Sequence, residues 1–241
     1  MSRRINLIGI FAITGVCILL ILATNHFNTD NIDEYKPNNL MKNKFRKYYA
    51  TNVQQQQVTQ NLSVSIEDIL NYQRQQIAEE LSNYEYPSGK FGVEANNLQE
   101  LTPETNGNPM RSLIITTWRS GSTFLGDILN AMPGNFYHYE PLLTFDIIQI
   151  RGPPHDKPAI NLLKKLLKCN YTDMNEYLEF GQTHNYLFTH NSRLWNQCHL
   201  FPNFCYQPKF LESFCKLFPL QSMKVVRLRM DIAARLLEDP R

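Results

Sequence analysis

The sequence predicts an α/β fold, a parallel β-sheet flanked by helices, set behind one membrane-spanning helix and a stem. Three observations predict it: an uncharged run near the N-terminus, a stretch rich in Asn and Gln after it, and a strand, glycine loop, helix and second strand in immediate succession from Leu113 to Pro141. A strand that enters a helix through a short loop and leaves into another strand is the unit from which parallel sheets are built. The length of 241 residues suits one domain of ordinary size and an appendage. A net charge of +2 with 19% charged residues provides no basic stripe, so nucleic-acid binding has no electrostatic support.

Ile5 to Thr24 carries no charged side chain and, at roughly 20 residues, can cross a bilayer as a helix. A cleaved signal peptide is the alternative, but its apolar region usually spans only about 7 to 15 residues. Arg3 and Arg4 precede the run, and Asp30, Asp33 and Glu34 follow it. The positive side stays cytoplasmic, which makes residues 1–4 a cytoplasmic tail, 5–24 a type II signal anchor and the remainder luminal. Cys17 falls within the span.

From 25 to 108 the composition shifts to Asn, Gln and charged residues, including Gln54 to Gln57, as expected of a luminal stem. Within it, Ser65 and Asp68 form a capping-box pattern, and Ile66, Ile69, Leu70, Ile77 and Leu81 recur near helical spacing. One amphipathic helix is expected, ended by Tyr86-Pro87-Ser88-Gly89. It either lies on the globular domain or supports self-association, so a homo-oligomer through stem or span is possible. Pro103 to Pro109 reads as a linker, and the domain proper runs from 109 to 241.

Leu113, Ile114 and Ile115 are a continuous apolar run extended by Thr116 and Thr117, a pattern of a buried strand. Trp118 to Gly121 is the loop. Ser122 suits a helix N-cap, and Phe124, Leu125, Ile128, Leu129 and Met132 give the helix an apolar face until Pro133-Gly134 ends it. Backbone N–H groups and the positive helix end converge at that loop, which suits an anion. Gly121 permits close backbone approach, Ser120, Ser122 and Thr123 offer hydroxyls, and Arg119 offers a planar cation. Phe136 to Tyr139 is the second strand, which delivers Glu140 to the C-terminal edge of the sheet, where ligands bind in open parallel sheets. His138 alternates with Glu140 and so shares its face; His184 and His190 are weaker candidates. No G-x-x-x-x-G-K-[ST] motif occurs and no lysine stands in the loop, which excludes a Walker-type kinase or NTPase.

Leu142 to Ile150 is apolar, and Arg151-Gly152-Pro153-Pro154 breaks it. Ile160 to Lys168 predicts a helix with Leu162, Leu163, Leu166 and Leu167 on one side and Lys164, Lys165 and Lys168 on the other. Lys224 to Leu228 predicts a strand and Asp231 to Glu238 a helix. Cys169, Cys198, Cys205 and Cys215 lie on the expected luminal side, where disulfides persist, with three pairings open. No C-x-x-C pair occurs, so no metal is expected. Asn61-Leu62-Ser63 and Asn170-Tyr171-Thr172 match the glycosylation acceptor pattern.

The run T-T-W-R-S-G-S-T-F-L-G-D-I-L-N from Thr116, followed by F-Y-H-Y-E-P from Phe136, resembles the 5′-phosphosulfate-binding region of the Golgi carbohydrate sulfotransferases, in particular the galactose, N-acetylglucosamine and N-acetylgalactosamine 6-O enzymes, the chondroitin 6-O type included. K-V-V-R-L-R at Lys224 to Arg229 is similar to the strand that precedes the other half of the family's donor site. The resemblance implies a P-loop-like sulfotransferase domain in the Golgi membrane that moves a sulfuryl group from 3′-phosphoadenosine 5′-phosphosulfate to a glycan or proteoglycan hydroxyl. It implies that Arg119, Ser120, Gly121, Ser122, Thr123 and Phe124 hold the donor, that Arg119 and Glu140 are catalytic, and that no metal takes part. Glu140 is the candidate general base, or else a carboxylate that pairs with Arg119. The lysines of the 160–168 helix become candidate contacts for an acidic acceptor. Asp239-Pro240-Arg241 is similar to the linker ahead of the family's 3′-phosphate motif, so the domain is expected to be incomplete, with a catalytically silent membrane-anchored fragment as the alternative reading.

Overall fold

Three parallel strands in the order β1-β3-β2 carry the rest of the fold. They are β1 (Met110–Thr116), β2 (Asn135–Tyr139) and β3 (Leu220–Val226). The computed structural model describes residues 43, 44, 47, 64–86, 89 and 94–238, all within one unit, Asn43–Arg241. The expected span at 5–24, the glycosylation site at Asn61 and the terminal Asp239-Pro240-Arg241 lie outside these residues. Among the described residues no helix is long and apolar enough to cross a membrane.

The sequence places the second strand beside the loop of the first. The structure instead inserts β3 between them, with Ile114 paired to Lys224 on one side and Tyr139 paired to Lys224 on the other. The reason is burial. All seven residues of β3 are buried, whereas β1 is only partly covered, and a strand covered on both faces belongs in the middle.

The first helix after β1, spanning Ser122–Ala131, differs from expectation at its start. Gly121, not Ser122, is the cap, with left-handed φ of 77° and no side-chain cap hydrogen bond. The chain must turn sharply from strand to helix there, and only a residue without Cβ does so without strain. Ser122 becomes the first helical residue.

Elements are numbered α1 (Ile66–Glu80), α2 (Leu98–Leu101), α3 (Ser122–Ala131), α4 (Asp156–Leu167), α5 (Asn175–Thr183), α6 (Tyr186–Thr189), α7 (Ser192–Leu200), α8 (Pro208–Cys215) and α9 (Met230–Ala233). The Ser65–Asp68 capping box starts α1. The helix ends at Glu80, earlier than the proline signal suggests, and its apolar side chains Ile69, Leu70 and Ile77 join the core. Glu80 fastens it by accepting from Arg193 Nη2 and from the backbone N–H of Gly134, each at 2.8 Å. It therefore lies on the domain.

Alternation along β2 and β3 assigns the two faces of the sheet. Asn135, Tyr137, Ser222 and Lys224 face α3, with Asn135 Nδ2 donating to Ser222 Oγ at 2.7 Å. Phe136, Gln221, Met223 and Val225 face α8, where the Phe136 ring lies 5.3 Å from that of Phe218 and 6.3 Å from that of Phe214.

The expected 160–168 helix begins a turn earlier, at Asp156, and buries Ile160, Leu163, Leu166 and Leu167. No element is expected from the sequence between 170 and 219, yet four helices stand there. The helix expected over Asp231–Glu238 is the short α9 followed by a 3₁₀ turn, Ala234–Leu236. The cysteines pair as Cys169–Cys215 and Cys198–Cys205. Asn170 is exposed, and its Oδ1 accepts from the Thr172 backbone N–H at 2.9 Å.

Candidate functional site

At the C-terminal edge of β1 the backbone turns twice through left-handed conformations, at Arg119 (φ 61°) and Gly121 (φ 77°). Thr116 and Ser120 share a hydroxyl hydrogen bond of 2.6 Å that pins the loop to the strand it leaves. The first N–H groups of a helix have no partner within it, and no side chain caps those of α3. They open on a cleft of 450 Å³ lined by Thr117 through Thr123 together with Glu140, Lys224 and Val226.

Six of the seven residues picked out from the sequence thus converge: Arg119, Ser120, Gly121, Ser122, Thr123 and Glu140 all line the cleft. Phe124 does not. It is 73% exposed, because the first helical turn rotates its side chain away from the loop.

Glu140 leaves the extended conformation (φ 38°, ψ 56°). The expected sharing of a face with His138 fails for that reason. Glu140 swings to the α3 side of the sheet, and its Oε1 accepts from Lys224 Nζ at 2.6 Å while Oε2 stands 3.7 Å from Arg227 Nη2. His138 stays on the opposite face, buried with Nε2 unpartnered among the described residues. Burial pushes it down to about 3, so it remains neutral.

The carboxylate does not pair with Arg119. The loop arginine is exposed and makes no ion pair among the described residues. Its place is taken by Lys224, whose side chain is 2% exposed. Lys224 Nζ also donates to Thr123 Oγ1 at 3.0 Å and sits 4.7 Å from the Tyr139 ring centroid. Arg227, itself buried, donates to the Asp146 carbonyl at 2.6 Å and lies 5.1 Å from the ring of Trp118. Two cations from the end of β3 therefore reach both ends of the loop.

Lys224 and Arg227 are site residues that the sequence did not single out. The available signal was a lysine and an arginine among Met223, Val225, Val226 and Leu228, since charges in a buried strand require partners. His190 was also undervalued. It stacks on Tyr139 with centroids 3.8 Å apart, and its Nδ1 is 3.5 Å from Asp127 Oδ1. Burial lowers its pKa and Asp127 opposes the shift. Burial, followed by the charge of Glu140, pushes Tyr139 up to about 12. His184 stacks on Phe180 at 4.0 Å.

Uncapped helix N–H groups, three hydroxyls and the Arg119 cation in one cleft, beside a carboxylate held by Lys224 and Arg227, suit an anionic group whose oxygens gain charge during a reaction. No family model matches the chain, and no solved structure matches it. Curated relatives do. Carbohydrate sulfotransferase 7 of Mus musculus is 33% identical over 72 residues, 27% of this chain and 14% of that protein. Carbohydrate sulfotransferase 2 of Homo sapiens is 32% identical over 75 residues, 28% of this chain and 13% of that protein.

Over these partial stretches the chain is similar to carbohydrate sulfotransferases. Its matched stretch spans about a seventh of each of these two relatives. Carbohydrate sulfotransferase 7 of Rattus norvegicus matches over 108 residues at 27% identity, 38% of this chain and 21% of that protein. Among the described residues no three His, Cys, Asp or Glu side chains gather into a metal-binding group.

Proposed function

We propose that the chain transfers a sulfuryl group from 3′-phosphoadenosine 5′-phosphosulfate to a hydroxyl, the 6-hydroxyl, of a hexose or N-acetylhexosamine in a glycan or glycosaminoglycan. The observation that carries this reading is the cleft, in which the uncapped start of α3, Arg119, the hydroxyls of Ser120, Ser122 and Thr123, and Glu140 share one space. The backbone N–H groups and Arg119 hold the phosphosulfate oxygens. Their positive charge stabilises the phosphate as the bond from sulfur to its bridging oxygen breaks. As the acceptor oxygen bonds to sulfur, its proton passes to Glu140. The proposal extends to a single-pass type II protein anchored through 5–24 in the Golgi membrane, with the cleft in the lumen.

The test is transfer of labelled sulfate to galactose, N-acetylglucosamine and N-acetylgalactosamine acceptors by the full chain. Arg119→Ala and Ser122→Ala should each reduce kcat/KM by about 10- to 100-fold, the loss of one charge-assisted hydrogen bond of about 1.5 to 3 kcal/mol. Unchanged kinetics in both variants would overturn the assignment.

A further inference from the structure

We propose that Lys224 is a positioning residue of this site, setting the hydrogen-bond polarity of Thr123 and of Glu140 at once; the inference rests on the sulfuryl-transfer reading. A buried ammonium is costly unless it is paired and hydrogen-bonded. Lys224 meets that condition on three sides, through Glu140 Oε1 at 2.6 Å, Thr123 Oγ1 at 3.0 Å and the Tyr139 ring at 4.7 Å. An ammonium has three donors and no acceptor. With its three sides taken, Lys224 acts through its neighbours and does not grip a ligand itself.

Its effect on each neighbour follows from the direction of donation. Thr123 Oγ1 must accept from Nζ, so its own hydroxyl hydrogen is left to donate, either to the neighbouring Tyr139 hydroxyl or to a ligand in the cleft that Thr123 lines. Thr123 becomes a committed donor. At Glu140 the ammonium occupies Oε1 at 2.6 Å, while Arg227 approaches Oε2 only to 3.7 Å and the Tyr139 hydroxyl adds a contact to the carboxylate. Oε2, the oxygen farther from a cation, is then the one to accept a proton. One buried cation thus orients a donor for the sulfuryl donor and an acceptor for the incoming hydroxyl. The insertion of β3 between β1 and β2 is what brings it there, since Lys224 is paired across the sheet with both Ile114 and Tyr139.

The test is steady-state kinetics and thermal unfolding of the full chain carrying K224M, K224R, T123V, R119A and the double variants K224M/T123V and K224M/R119A. Lys224→Met should lower kcat at least about tenfold, and Lys224→Arg, which keeps a cationic donor, should recover part of the loss. K224M/T123V should be no slower than K224M within about twofold, because the two residues act as a unit, whereas the losses of K224M and R119A should multiply. If K224M fails to fold, K224R carries the same cycles. A kcat for K224M within about twofold of the unaltered protein, or losses of K224M and T123V that multiply, overturns the role of Lys224 while the sulfotransferase reading stands. Absence of transfer by the unaltered protein overturns both.

Discussion

Helices α3 and α8 cover opposite faces of one sheet, and both carry large apolar side chains at helical spacing. They use them differently. Helix α8 buries Phe210, Leu211, Phe214 and Cys215, and behind it the Cys169–Cys215 disulfide accepts a contact of 3.1 Å from Gln221 Nε2 on β3. Helix α3 buries only Gly126. Its Phe124, Leu125 and Ile128 are 73%, 46% and 46% exposed, and Met132, which caps its end, is 41% exposed. Glycine lets α3 approach the Tyr137 ring so closely that a Cβ would collide with the Tyr137 hydroxyl. One helix is held by apolar volume. The other is held by close backbone approach, and its N-terminal end lines the cleft. Apolar periodicity thus shows that a helix forms, but not which of its sides the sheet receives.

Truncation of the α8 side should have the largest effect. Phe214 is fully buried, so Phe214→Ala should cost about 3 to 5 kcal/mol of stability, read as a lowered denaturation midpoint with the slope unchanged. A smaller cost would mean that this face is less tightly packed than α8 suggests. Adding one methyl on the α3 side should cost less stability and more function. Gly126→Ala should destabilise by about 1 to 3 kcal/mol through overpacking. By tilting α3 against Tyr137 it should also raise KM for the sulfuryl donor more than Phe214→Ala does. Equal donor KM values in the two variants would remove the functional half of the contrast. The smallest effect belongs to the exposed stripe. Phe124→Ser should change stability by no more than about 0.5 kcal/mol and leave donor KM unaltered, as measured on the same unfolding and kinetic assays. A rise in donor KM would restore Phe124 to the cleft.

Much of the site was legible because it is local. The loop from Trp118 to Thr123 lies between a strand and a helix adjacent in sequence, and Glu140 follows the next strand, so short-range rules placed all but Phe124 at one edge. Lys224 was not legible in that way. It lies 101 residues from Thr123 and 84 from Glu140, and no periodicity reports which strand enters between two others. The helices from 175 to 215 carried local signals that were passed over. Asn191 caps α7 by accepting from the Leu194 N–H at 3.1 Å, and Pro208 stands at the first turn of α8. Both are ordinary start signals.

By itself the sequence determined the strand–loop–helix–strand order, the capping box of α1, and the clustering of cation, hydroxyls and glycine ahead of α3. Each depends on interactions within a few residues, where backbone sterics and hydrogen bonding leave few choices. Tertiary structure alone decided that β3 lies in the middle, that Glu140 turns to Lys224 and Arg227 instead of Arg119, that α3 seats on Gly126, and which cysteines pair. Those outcomes depend on which distant surfaces bury one another, and a buried charge selects its partner only after the strands around it have assembled.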